Sequence, residues 1–240
     1  MPYFFKKEGI MPNIILFDLD DTILDFHKSE KAALTNTMSQ LGVTVTEQNI
    51  SLYSEINDSM WKKLERGELT RAQVLLNRFE EFFNAIDVDC KPTEAKKLYE
   101  RSLSKQCFFM DGAPEILEQL YKSYDLYIIS NGTAHVQDGR IAAAGIAKYF
   151  KDIFISDKIG VNKPSREFFE FCEKHIPDFD KKRALIVGDS PSSDILGGIN
   201  SGISTCRFNP KKTPNPENIQ PDYEIESLSQ LPDVLKKFFR

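Results

Sequence analysis

Four short apolar runs, each closed by a polar residue or a glycine, constrain this chain more than any other feature: IILF (14–17), LYIIS (126–130), DIFIS (152–156) and ALIVGD (184–189). Strands that are apolar along their whole length, rather than at alternate positions, are covered on both faces, as in parallel sheets. A helical pattern follows most of them, at 133–144, 165–175 and 192–201. Strand and helix in alternation predict right-handed βαβ units, hence an α/β fold whose parallel sheet carries helices on both faces. A Pro-rich loop, NPKKTPNPENIQP (209–221), precedes a last strand near 223–225 and a closing helix near 227–238.

The stretch 27–106 breaks that rhythm, with no strand and with helices expected at 28–41, 46–66, 70–86 and 93–105. TRAQ at 70–73 is a capping box, with Thr70 as N-cap and Gln73 reaching back. Trp61, Phe79, Phe82 and Phe83 read as the packing core of these helices. MDGAPEILEQL (110–120) returns to the sheet, with Pro114 in the first turn of a helix. The organisation expected is an N-terminal extension (1–10), a Rossmann-like core (11–26 and 107–240) and an all-helical cap (27–106) inserted after the first strand. The cap should hinge where the chain crosses between the two, near 24–28 and 105–111.

Composition narrows the partners. A net charge of −5 and a pI near 5.4 argue against a nucleic acid polymer, whose phosphates need clustered Lys and Arg. No apolar run is long enough to span a bilayer, so no membrane is expected. MPYFFKKEGI has lysines but no hydrophobic region after them, unlike a secretory signal. The four cysteines (Cys90, Cys107, Cys172, Cys206) form no CxxC pair and suit a reducing, cytoplasmic setting.

In open parallel sheets ligands bind at the carboxyl ends of the strands, and the notable polar residues fall there. Asp18 and Asp20 follow the first run, and alternation lets them face one way. Asp21 and Asp25 read as local turn formers. Ser130 and Asn131 follow the second run, ahead of a helix N-terminus that favours an anion. Lys163 stands before Pro164, and Asp189 closes the fourth run with Asp194 five residues on. Carboxylates gathered so closely are tolerable around a hard cation, and Mg2+ is commonly held by one or two carboxylates together with substrate phosphate.

DLDDT, IISNG, NKP and GDSPSSD, in this order and each at a strand end, resemble the four motifs of the haloacid dehalogenase-like hydrolase superfamily. The likeness covers nearly the whole chain from residue 12, and the helical insertion is similar to that superfamily's helical cap. The resemblance implies roles residue by residue. Asp18 would be nucleophile and metal ligand. Asp20 would be general acid/base and offer its backbone carbonyl to the metal. Ser130, the Asn131 amide and Lys163 would bind phosphate, and Asp189 would complete the Mg2+ site. Asp194 would orient Lys163 or metal-bound water, and Thr22 would hydrogen-bond near Asp18. The second aspartate favours a phosphate ester, because true dehalogenases of that superfamily lack it. GVNKPSREFFEFC, VGDSPSSDILGGINSGI and WKKLERGELTRAQVLLNRFEEF look similar to the bacterial house-cleaning pyrimidine 5′-nucleotidases. That likeness implies a small phosphorylated metabolite, a nucleotide, as substrate, and a monomer or homodimer. A phosphatase or mutase of sugar phosphates is the alternative. An aspartate-phosphorylated signalling domain, or a non-catalytic binding module, is the alternative of another class.

Overall fold

The computed structural model describes residues 12–240; the expected extension at 1–10 lies outside them. The first strand, β1 (Ile14–Phe17), is followed by four helices, α1 (Phe26–Gln40), α2 (Glu47–Glu65), α3 (Arg71–Ala85) and α4 (Pro92–Leu103). The chain then runs through α5 (Ala113–Leu120), β2 (Asp125–Ser130), α6 (Ala134–Ala144), β3 (Asp152–Ile155), the single turn α7 (Ser156–Ile159) and α8 (Arg166–His175). It ends with β4 (Ala184–Gly188), a π-helical turn (Pro191–Ile195), α9 (Leu196–Ser201), β5 (Ser204–Phe208), β6 (Tyr223–Ile225) and α10 (Leu231–Phe238). The six strands form one sheet in the order β3-β2-β1-β4-β5-β6, all neighbours parallel. β1 therefore lies inside the sheet, and its carboxyl end opens between those of β2 and β4.

Period-two alternation along β1 sends its side chains to two separate cores. Ile15 and Phe17 pack with Leu117 of α5 and Leu231 and Leu235 of α10. Ile14 and Leu16 pack with Phe168, Phe169 and Cys172 of α8 on the opposite face. β5 falls outside the strands that the sequence pattern predicts. Its residues, STCRF, dilute the apolar signal with Ser, Thr and Arg. Pairing with β4 on one side and β6 on the other overrides that composition. Arg207 of β5 is held by the 209–221 loop, donating to Thr213 O and Asn215 Oδ1 at 2.9 Å each.

The helices at 26–103 gather a core of their own. Phe79, Phe82 and Phe83 of α3 meet Tyr53 of α2 and Tyr99 of α4, with Ala33, Leu34 and Met38 of α1 closing the cluster. Thr70 and Gln73 form the expected capping box at the start of α3. Trp61, half-buried, packs against a second, smaller cluster of Met60, Leu64 and Val74, with the Arg71 guanidinium 5.7 Å from its ring. The two crossings into and out of these helices pair with each other. Asp25 N donates to Phe108 O at 2.9 Å, Met110 N donates to Ile23 O at 3.0 Å, and Leu24 bridges antiparallel to Phe109. Asp25 is also the N-cap of α1, and Asp21, at φ 57°, accepts from Phe26 N, so both are the turn formers expected. No helix among the described residues is long and apolar enough to cross a membrane.

Phe79 is fully buried between three helices. Phe79→Ala should destabilise the protein by about 3–5 kcal/mol, seen as a lower urea midpoint.

Candidate active site

Asp18 is the residue after β1, and its backbone N–H donates to Val187 O of β4 at 2.9 Å. That bond continues the parallel ladder by one residue and aims the side chain out of the sheet's carboxyl end. Asp18 is buried, at 7% exposure. Lys163, 1% exposed, donates to Asp18 Oδ1 at 2.6 Å, to Asp194 Oδ1 at 2.7 Å and to Ile129 O at 2.9 Å. All three donors of the ammonium are thereby used, and its charge is shared between two carboxylates. Asp194 accepts from Ser190 N with its other oxygen, at 3.1 Å, which fixes it at the mouth of the π-helical turn. Thr22 Oγ1 lies 3.4 Å from Asp18 Oδ2, the neighbour expected of it.

The segment after β2 supplies two kinds of group. Ser130 Oγ, at 1% exposure, accepts from Gly132 N at 3.1 Å and from Gln137 Nε2 at 2.8 Å. With both lone pairs engaged, its one O–H is left to donate. The Asn131 side chain is spent on structure. Its Nδ2 donates to Lys163 O at 2.9 Å and its Oδ1 accepts from Lys163 N at 2.8 Å, so the backbone N–H is what Asn131 can offer a ligand. The N-terminus of α6, expected to favour an anion, has one already. Asp157, arriving with α7, accepts from Ala134 N at 2.9 Å.

Asp18, Asp189 and Asp194 each bring a carboxylate oxygen to within 4.8 Å of the others. Burial pushes the Asp18 carboxyl up to about 8, against the pull of Lys163 and with Asp194 and Asp20 adding repulsion. Asp189 is raised well above the carboxylate range, by burial first and then by Asp18, Asp194 and Asp21. Burial works against the Lys163 charge, but Asp18 and Asp194 outweigh it and hold its pKa above the ordinary lysine value. Such a site, oxygen-only and crowded with acids, fits a hard divalent cation such as Mg2+, which would relieve the repulsion.

Asp20 is not part of that triangle through its side chain. Its Oδ2 accepts from Gln137 Nε2 at 2.6 Å, and its Oδ1 pairs with Arg140. Neither partner stood out in the sequence, although Arg140 is the lone charge in an Ala-rich turn of α6. The cap reaches the site at two places. Arg71 donates through Nη1 to Asn131 O and Gly132 O, at 2.8 and 2.9 Å, and through Nη2 to Ser156 Oγ and Asn162 Oδ1, at 2.6 and 2.5 Å. Asp157 Oδ1 lies 3.3 Å from its Nε. On the other side Ser192 donates to Glu65 Oε2 at 2.7 Å, and burial raises the Glu65 pKa. Arg71 did carry a signal: a cation in the first turn of α3 opposes the helix dipole, so something outside the helix has to hold it.

A parallel sheet bearing acidic groups, a buried lysine and a serine at its carboxyl edge, under an inserted helical layer, defines a hydrolase class. Residues 15–208 match the family model described as haloacid dehalogenase-like hydrolase. The chain is 35% identical over 224 residues to the pyrimidine 5′-nucleotidase PynA of Streptococcus pneumoniae, covering 93% of this chain and 94% of that one. It is 30% identical over 223 residues to the pyrimidine 5′-nucleotidase YjjG of Escherichia coli, covering 93% and 97%. The magnesium-bound crystal structure of the HAD-hydrolase YfnB of Bacillus subtilis, described as revealing interdomain movement, superposes with a TM-score of 0.90 at 35% identity, covering 94% of this chain and 99% of that one. This chain belongs to the haloacid dehalogenase-like hydrolase family. It is an enzyme of that family's phosphatase class.

The raised carboxyls give a pH dependence that checks this electrostatic picture. With Asp18 at about 8 when folded and near about 4 when unfolded, the folded state holds the extra proton between those values. The metal-free protein therefore has this contribution in full below about pH 4 and loses it as the pH rises towards about 8. Mg2+ competes with those protons, so it should raise Tm more near about pH 8 than near about pH 5 in calorimetry. Equal shifts, or none, would contradict the crowding described.

Proposed function

We propose that the enzyme hydrolyses nucleoside 5′-monophosphates through a phosphorylated Asp18, with Mg2+ held by Asp18, Asp189 and the Asp20 backbone carbonyl. The observation that carries this reading is the buried Asp18 carboxyl held by Lys163 and grouped with Asp189 and Asp194 at the strand ends, with the Ser130 hydroxyl and the Asn131 N–H following the neighbouring strand β2. In the first step a carboxylate oxygen of Asp18 attacks phosphorus, and the bond to the ester oxygen breaks. Lys163 Nζ, the Ser130 O–H and the Asn131 N–H meet the charge on the non-bridging oxygens. Asp20 gives a proton to the departing 5′ oxygen. In the second step water attacks the phosphorus of the aspartyl-phosphate, Asp20 takes the proton, and inorganic phosphate leaves with Asp18 restored. Mg2+, when bound, supplies positive charge beside the same oxygens.

Asp20 supports an ester substrate, since an alkoxide leaves poorly without a proton. The nucleotide assignment draws on PynA and YjjG, both named pyrimidine 5′-nucleotidases and aligned over most of this chain. Arg71 and the Glu65–Ser192 contact flank the site mouth, so a bound substrate lies under the cap and away from bulk water.

Phosphate release from a panel of pyrimidine and purine monophosphates and sugar phosphates tests the substrate; the highest kcat/KM should fall on a pyrimidine monophosphate, and a preference for sugar phosphates would reject that assignment. Asp18→Asn should abolish turnover in a protein that stays folded by circular dichroism. Asp20→Asn should lower kcat by about 10²–10⁴-fold. Near wild-type activity in the Asp18 variant would exclude it as the nucleophile.

A further inference from the structure

Gln137 and Arg140 lie one turn apart on α6 and are almost wholly enclosed, at 1% and 0% exposure. Gln137 Nε2 donates to both Asp20 Oδ2, at 2.6 Å, and Ser130 Oγ, at 2.8 Å. Arg140 Nη1 holds the other Asp20 oxygen and reaches Gln137 Oε1 at 3.2 Å. Each oxygen of Asp20 thus has its own donor from one rigid helix, which fixes the tilt and rotation of the carboxylate. The rest of the guanidinium faces the crossings. Nη2 lies 3.4 Å from Ser29 Oγ of α1, Nε lies 3.4 Å from Gln106 O, and the Phe26 ring centroid is 5.7 Å away.

Two glycines make room for this arrangement. A Cβ on Gly132 would run into the Gln137 side chain, and one on Gly139 would come 2.6 Å from Ser104 O, next to the second crossing. Fold stability alone gives little reason to enclose an arginine here, because a buried ion pair is often matched by apolar residues of the same size.

We propose that Gln137 and Arg140 are positioning residues that aim the Asp20 carboxylate at the ester oxygen beside Ser130, and that Arg140 ties this aim to the seat of the cap. The inference rests on the reading of Asp20 as acid/base, and the experiment separates the two. It compares kcat/KM, which reports the steps up to phosphorylation of Asp18, for phosphate monoesters whose leaving groups run from p-nitrophenol to an alkyl alcohol. p-Nitrophenolate departs without a proton, whereas an alkoxide needs one. Asp20→Asn should steepen the dependence on leaving-group basicity. Gln137→Met and Arg140→Met should steepen it in the same sense, losing about 10²-fold on the alkyl ester and far less on the nitrophenyl ester. Arg140→Lys keeps the charge without the planar fork and should recover part of the loss. Gln137→Met is neutral and close in size, so it carries the test should the Arg140 variants fail to fold. An equal loss on every ester, or no loss, in a folded Gln137→Met overturns the positioning role while a steep Asp20→Asn response leaves the acid role standing. A flat response in Asp20→Asn itself overturns the acid role and this inference with it.

Discussion

An ammonium enclosed between two carboxylates, Lys163 between Asp18 and Asp194, is the interaction on which the rest of the site depends. A lone charge at 1% exposure would cost several kcal/mol in desolvation. Two short ion pairs and a bond to Ile129 O offset that here. The three side chains come from three distant parts of the chain, and the β3-β2-β1-β4 order brings together the segments that follow β3, β1 and β4. Removing the lysine would leave Asp18, Asp189 and Asp194 facing one another. Removing either carboxylate would leave the lysine half-neutralised. The Asn131 side chain, bonded twice to the Lys163 backbone, keeps the lysine's own loop in register with the end of β2.

Several of the contacts between sheet and cap touch the site. The crossings pair with each other by backbone bonds between Asp25 and Phe108 and between Ile23 and Met110. Arg71 then grips the carbonyls of Asn131 and Gly132 from α3, and Glu65 accepts from Ser192 beside the π-helical turn. Val136 of α6 adds an apolar contact, since it packs into the core of the cap helices. A site placed under such a junction lies where an inserted cap can exclude water from a bound substrate.

Much of this was legible in the sequence because burial of the sheet is written as unbroken apolar runs, and the chemistry sits where those runs stop. β1, β2, β3 and β4, the four helices of the insertion and the capping box at Thr70 follow from local pattern alone. β5 does not, since STCRF gains its place only from neighbours on both edges. The sequence brought Asp18, Ser130, Lys163, Asp189 and Asp194 to one rim, and the structure places them there. It could not tell that the Asn131 side chain serves the Lys163 backbone, or that Asp157 occupies the start of α6, because both depend on contacts between distant loops. Arg140 and Gln137 escaped for a related reason. Their partner Asp20 lies more than a hundred residues earlier, and helical periodicity records which face is buried, not what it is buried against.

The central claim is that the Asp18 carboxylate becomes bonded to phosphorus during turnover. Quenching the enzyme in acid while it consumes substrate with Mg2+, then mapping the phosphorylated peptide by mass spectrometry, tests it most directly. The account predicts one phosphoryl group, carried by Asp18 and lost on standing at neutral pH. A phosphoryl group on a serine, or none under conditions where phosphate is being released, would contradict it.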